Sequence, residues 1–163
     1  MKKSIWLILA VALLSGCVSN PVPKDYTGPL AYISDSTAPS ETPGVDFFVL
    51  DAVNGQAIQD SISATMSANY GRGFYMDPKV IGRDVPAREA SFEVLGMTHY
   101  AAPILAMTNT VYKLNGTVTF TPAPNGRYVI KGKLGAGYSA VWIEEVDTGK
   151  IVGQKIEKQL GSE

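Results

Sequence analysis

The chain has 163 residues, 45% hydrophobic and 18% charged, which is the composition of a globular domain rather than a disordered tail. With 14 basic against 15 acidic side chains it is not a strongly basic nucleic-acid binder. One Cys and one His exclude a zinc finger, leave no ligand set for a His-rich metal centre and make an intrachain disulfide impossible.

Lys2 and Lys3 precede an unbroken apolar run over residues 5–14. A bilayer-spanning helix needs about 20 apolar residues, so this run is too short for a permanent span and has the form of a secretory signal peptide. It ends in Leu14-Ser15-Gly16-Cys17, which resembles the bacterial lipobox at every position; the alternative is an ordinary signal peptide with a chance Cys. In that family the Cys thiol is diacylated, signal peptidase II cuts before it, and the new amino group takes a further, palmitate-type chain. The resemblance implies removal of residues 1–16, recognition through Leu14, Ser15 and Gly16, and lipid on Cys17. Each buried methylene contributes about 0.8 kcal/mol, so two or three chains hold a domain at a membrane where one does not. Val18 and Ser19 stand where an Asp would resemble an inner-membrane retention signal. The implied destination is the periplasmic face of a Gram-negative outer membrane, reached through the lipoprotein processing and sorting machinery. Loss of Lys2 and Lys3 makes the mature chain more acidic, so acyl chains rather than charge would have to hold it at anionic lipid.

Residues 17–28, with Pro21, Pro23 and Gly28, show no periodicity and are expected to form a flexible tether to a single domain over 29–163. Within that domain the dominant period is two. Strands are expected at residues 30–34 and 45–53, with a loop over 35–44 and a tight turn at Asn54-Gly55. Over residues 62–70, Ile62, Ala64, Met66, Ala68 and Tyr70 alternate with polar residues, which predicts a strand. Ile58, Ile62, Met66 and Tyr70 also fall four apart, so a helix competes there. Glycines and prolines over 71–78 predict a loop, and alternation resumes over 88–101. Residues 101–107 are small and uncharged, and are expected to be a buried edge or crossover, with an exposed docking strip as the alternative.

Asn115-Gly116 has the form of a hairpin turn, but a turn there sets apolar side chains opposite polar ones. Reading straight through keeps Tyr112, Leu114, Gly116, Val118 and Phe120 on one face. The turn is therefore expected at 122–126. The next strand has Tyr128, Ile130, Gly132 and Leu134 inward, followed by a strand with Val141 and Ile143, a turn at 147–150 and a closing strand at 151–156. These last four strands have the form of an antiparallel meander. Seven or eight such strands predict an all-β antiparallel sandwich or small barrel. The run from Leu114-Asn115-Gly116 through Val118 and Phe120 to Pro122, with residues 142–149, resembles the small transthyretin- or immunoglobulin-like sandwich domains of bacterial lipoproteins.

Chemistry is sparse. His99 is the only imidazole and no Gly-x-Ser-x-Gly elbow accompanies it, so it is expected to be a hydrogen-bonded strand residue. Glu144 and Glu145 are adjacent on a strand and point to opposite faces, while Asp46 and Asp51 are expected to stay solvated. No phosphate-binding glycine motif occurs, and no cofactor, metal site or catalytic residue is assigned. Arg72, Lys79, Arg83 and Arg88 cluster with Tyr70, Phe74 and Tyr75, a set able to hold a carboxylate or phosphate. The competing account pairs them with Asp77, Asp84 and Glu89. The expectation is a lipid-anchored envelope protein with a non-catalytic binding or assembly role, whose partner is an envelope protein or glycan. The alternative is a periplasmic hydrolase or transferase with a carboxylate or Ser-Lys centre.

Overall fold

The computed structural model describes residues 19–159. The expected signal peptide, the lipobox-like residues 14–17 and the lipid on Cys17 fall outside the described residues. The described chain is an all-β sandwich of two five-stranded sheets with two short helices, and its strands number ten rather than seven or eight.

The chain enters at a corner between the sheets. Strands β1 (Leu30–Ser34) and β2 (Ser36–Pro39) are one extended run broken at Asp35, with β1 in the first sheet and β2 in the second. The loop expected over 35–44 is therefore partly strand, because turning the corner lets each half pair in its own sheet. Pro39 is tolerated there because β2 is an edge. The second sheet runs β2, β3 (Val45–Val53), β6 (Ala90–His99), β7 (Lys113–Phe120). A two-residue strand β4 (Gln56–Ala57) folds back on β3 through Asn54 and Gly55, at φ of 50° and 75°, the positive values that a tight hairpin needs. The first sheet runs β10 (Ile151–Gln159), β9 (Tyr138–Glu145), β8 (Arg127–Lys133), β1, β5 (Gly82–Pro86). Its pairs are antiparallel except β1 with β8.

β7 runs unbroken through Asn115-Gly116, as the face argument requires, but it pairs with β6. Only β8, β9 and β10 form a meander. Alternation identifies which side of a strand is buried, not which sheet it joins. Residues 121–126, mostly exposed, carry the chain from the second sheet to the first, and the rings of Phe120 and Tyr128 meet at 5.3 Å.

The inter-sheet core contains Ile33, Phe48, Leu50, Phe92, Val94, Val118, Ile130, Val141 and Ile143, all essentially inaccessible. β3 is buried on both faces: Phe48 and Leu50 point into the sandwich, while Phe47 and Val49 join Ile62 and Leu95 on the outer face. The unbroken run Phe47-Phe48-Val49-Leu50 is the sequence of a strand covered on both sides. Its outer cover is helix α1 (Ser61–Ala68), which replaces the strand expected over 62–70.

The helix forms because Asp60 caps it, accepting from Ser63 N–H at 2.7 Å, and because its buried Ser61 and Thr65 side chains have partners. Ser61 Oγ, Thr65 Oγ1 and Asn69 Oδ1 accept from the backbone N–H groups of Ile81, Lys79 and Asp77 at 2.9, 2.8 and 2.9 Å. Four helical residues rise about 6 Å and two extended residues about 6.6 Å, so one face of a helix can serve as the edge for an extended strip. The apparent period of two was half of this pairing.

Residues 19–28 are laid against the domain rather than forming a free tether. Ser19 N–H and Oγ both reach the carbonyl of Ala57, at 3.0 and 3.2 Å. Tyr26 Oη donates to the Pro29 carbonyl at 2.8 Å, and Arg88 lies over the Tyr26 ring, 5.3 Å from its centre.

Candidate functional site

The basic residues singled out in the sequence are engaged separately. Arg83 grips Asp35 with two nitrogens, at 2.7 and 2.8 Å, and Asp35 is 2% exposed. The same carboxylate accepts from Leu50 N–H, Ser61 N–H and Ser61 Oγ, joining the sheet corner, β3, α1 and β5. Lys79 pairs with Asp77 at 2.5 Å, as the local-pairing account requires. Arg88 stacks on Tyr26, and Arg72 lies exposed in the loop after α1. Arg83 and Arg88 are five residues apart, about 16 Å in extended chain. The four do not form one anion site; Arg83 is structural.

The carboxylates divide similarly. Asp51 is exposed, but Asp46 is buried, contrary to its expected solvation, and accepts from Thr98 Oγ1 across the β3–β6 pair at 2.7 Å. Burial raises its pKa above the ordinary carboxylate value, and the Thr98 hydrogen bond offsets part of the rise. Two of the hydroxyl–carboxylate pairs that meet, Ser61 with Asp35 and Thr98 with Asp46, lie inside the protein; two others, Tyr138 with Glu157 and Thr148 with Glu145, lie on the exposed surface.

A different site emerges where α1 ends. Ile62 and Leu95 pack together outside β3. One helical turn beyond Ile62 stands Met66, and two residues beyond Leu95, on the same strand face, stands Met97. Met76 closes the layer from the segment tied back onto α1. Past this layer the surface opens into a recess of about 560 Å³ lined by Met66, Tyr70, Met76, Met97, His99 and Ala106, among others. Its far wall is helix α2 (Pro103–Thr108). Residues 101–107 are therefore not a buried edge: α2 has no buried residue, and Met107 is 81% exposed. Pro103 suits the first turn of that helix, where its missing N–H costs nothing. Tyr100 Oη fixes the base of the wall by donating to the Thr110 carbonyl at 2.6 Å, and its oxygen lies 2.7 Å from Thr42 Oγ1, whose hydroxyl can donate to it.

The rim is apolar and exposed. Tyr70 (93%), Met66 and Val111 line its opening, and Gly71 and Gly73, at φ of 79° and 63°, turn the loop that goes on to the exposed Phe74 and Tyr75. Arg72 sits between those glycines. His99 is half-buried and meets Phe47 edge-on at 6.2 Å; burial lowers its pKa, favouring the neutral ring. Among the described residues it takes part in no ion pair, and no group of His, Cys, Asp and Glu is arranged to hold a metal. The recess offers shape, thioethers and aromatic faces rather than acid–base machinery. Sequence reasoning reached one wall of it, as the docking alternative for 101–107, and missed the other. The available signal was that four of the five methionines fall between residues 66 and 107, beside three exposed aromatic residues. Compared with protein-family models, with curated proteins and with solved structures, the chain matches none of them.

Proposed function

We propose that this chain is an envelope lipoprotein, anchored at the periplasmic face of the outer membrane through acyl groups on Cys17, and that its sandwich is a non-catalytic module binding an apolar peptide segment of an envelope partner. The observation that carries the binding role is the recess between α1 and α2 with its exposed Met and aromatic rim. Soluble domains rarely leave such a patch uncovered without a use, and thioether side chains adapt to apolar partners of varied shape. The anchor rests on Leu14-Ser15-Gly16-Cys17.

Two measurements test the two halves. Cys17→Ser is expected to move the protein from the membrane to the soluble fraction and to abolish its labelling by fatty acid; a variant that still sediments with membranes, unlabelled, overturns the anchor. Binding is read by titrating the mature chain with a dansyl-labelled amphipathic peptide that carries leucine and phenylalanine on one face. Saturable 1:1 binding is expected, weakened about tenfold or more, some 1.4 kcal/mol, by Ala106→Trp, which fills the recess. Binding that does not saturate, or that ignores Ala106→Trp in a folded variant, overturns the module.

A further inference from the structure

The point where the chain enters the domain and the recess lie at opposite ends of the same elements. Cys17 precedes Ser19 by two residues, which reach about 7 Å when extended. Ser19 is hydrogen-bonded to Ala57 of β4, and β4 pairs with the last residues of β3, Ala52 with Ala57 and Val53 with Gln56. Pro21 and Pro23 continue along the same end of the sandwich, lining a small hollow with Val53, Asn54 and Gln56.

At the other end of β3, Val45 pairs with His99, and His99, Tyr100 and Ala101 line the recess. β3 has nine residues, which span about 26 Å. Helix α1 gives the same polarity independently: it starts beside the entering chain, after Ile58 and Asp60, and ends at the recess with Asn69 and Tyr70. A leash of about 7 Å is far shorter than the distance from leash to recess.

We infer that an acylated Cys17 holds the Val53–Ala57 end of the sandwich at the bilayer and points the recess away from that membrane, so that its occupant is an apolar peptide segment of a partner in the aqueous compartment and not lipid of the anchoring leaflet. This rests on the lipid-anchor reading above and adds an orientation to it.

The test uses the full acylated protein in phosphatidylethanolamine–phosphatidylglycerol vesicles that carry a headgroup-attached quencher. A fluorophore is placed on Gln56→Cys in one preparation and on Met107→Cys in another, both exposed positions. Quenching at 56 is expected to exceed that at 107 about threefold or more. A Gly-Ser linker of about twenty residues inserted between Val18 and Ser19 is expected to remove the difference, since the r.m.s. reach of such a linker is about 25 Å. Equal quenching at the two sites in the unextended chain, or stronger quenching at 107, overturns the orientation while leaving the anchor standing. Failure of the acylated protein to float with the vesicles overturns both.

Discussion

Asp35 shows how much of this domain depends on single polar groups. Its carboxylate joins four elements, and among the described residues Arg83 is the only charge paired with it, with 10% of that side chain exposed. Removing one partner of a buried pair leaves an uncompensated charge, at a cost of about 3–5 kcal/mol. Arg83→Met is expected to lower the unfolding free energy by about that amount in urea titration, whereas the exposed Arg72→Met stays within about 0.5 kcal/mol of the parent. Asp46 has a second, pH-dependent consequence. Because burial raises its pKa, the folded state holds a proton that the unfolded chain has already released, so stability contributed by this group falls as pH rises above the ordinary carboxylate value. Asp46→Asn cannot ionise, and its amide oxygen still accepts from Thr98. Its stability relative to the parent is expected to improve between about pH 4 and pH 7, as read by thermal unfolding at each pH. Neither pairing was legible in the sequence: Asp35 and Arg83 are 48 residues apart, and Asp46 and Thr98 are 52 apart. Local composition offered Asp77, Asp84 and Glu89 as nearer partners.

At the level of elements, α1 marks the boundary of what periodicity can convey. Strands with one wet face, such as β7 and β8, announce themselves by alternation, and their inward residues are those expected. The helix does not, because its buried hydroxyls, on Ser61 and Thr65, are spent on a neighbouring strip of backbone rather than on water. Two outcomes follow from that pairing. The amides of Asp77, Lys79 and Ile81 are expected to exchange slowly in hydrogen-exchange measurements although they belong to no strand, while the amide of the exposed Val80 exchanges fast. Thr65→Val removes the acceptor for Lys79 N–H at a buried site and is expected to cost about 1–3 kcal/mol by chemical unfolding. Ser67→Ala, on the exposed side, is the control and stays within about 0.5 kcal/mol. The recess was legible only in part for a related reason. Its walls are separate elements, and nothing in residues 66–76 indicates that they face residues 97–106.

Across the whole molecule, the sandwich is drawn shut along one side. Gln154 donates to the Thr117 carbonyl at 3.0 Å, and Gly153, at a φ of 65° within a break in the β9–β10 register, lets β10 lean over β7. A side chain at 153 would meet Val118 at 2.5 Å, whereas one at Gly149, also at positive φ, would meet open space. Both Gly→Ala changes incur the backbone penalty of about 1–2 kcal/mol, and Gly153→Ala is expected to cost about 1 kcal/mol or more beyond Gly149→Ala through overpacking. Thermal unfolding of the two variants side by side isolates the closure of this seam. The all-β class followed from alternation and turn spacing alone; the assignment of β7 to the opposite sheet needed the crossing chain at 121–126, which has no periodicity to read.

The first strand of the domain lies in the interior of its sheet, between β5 and β8, and Ser36 Oγ bonds the carbonyl of Ile130, 94 residues further on. A polypeptide threaded N-terminus first through a narrow channel therefore cannot complete this sheet until most of its length has emerged. Such long-range pairing slows folding, so a chain exported in this way would keep its leading segment pliable during passage and reach its stable form only on the far side.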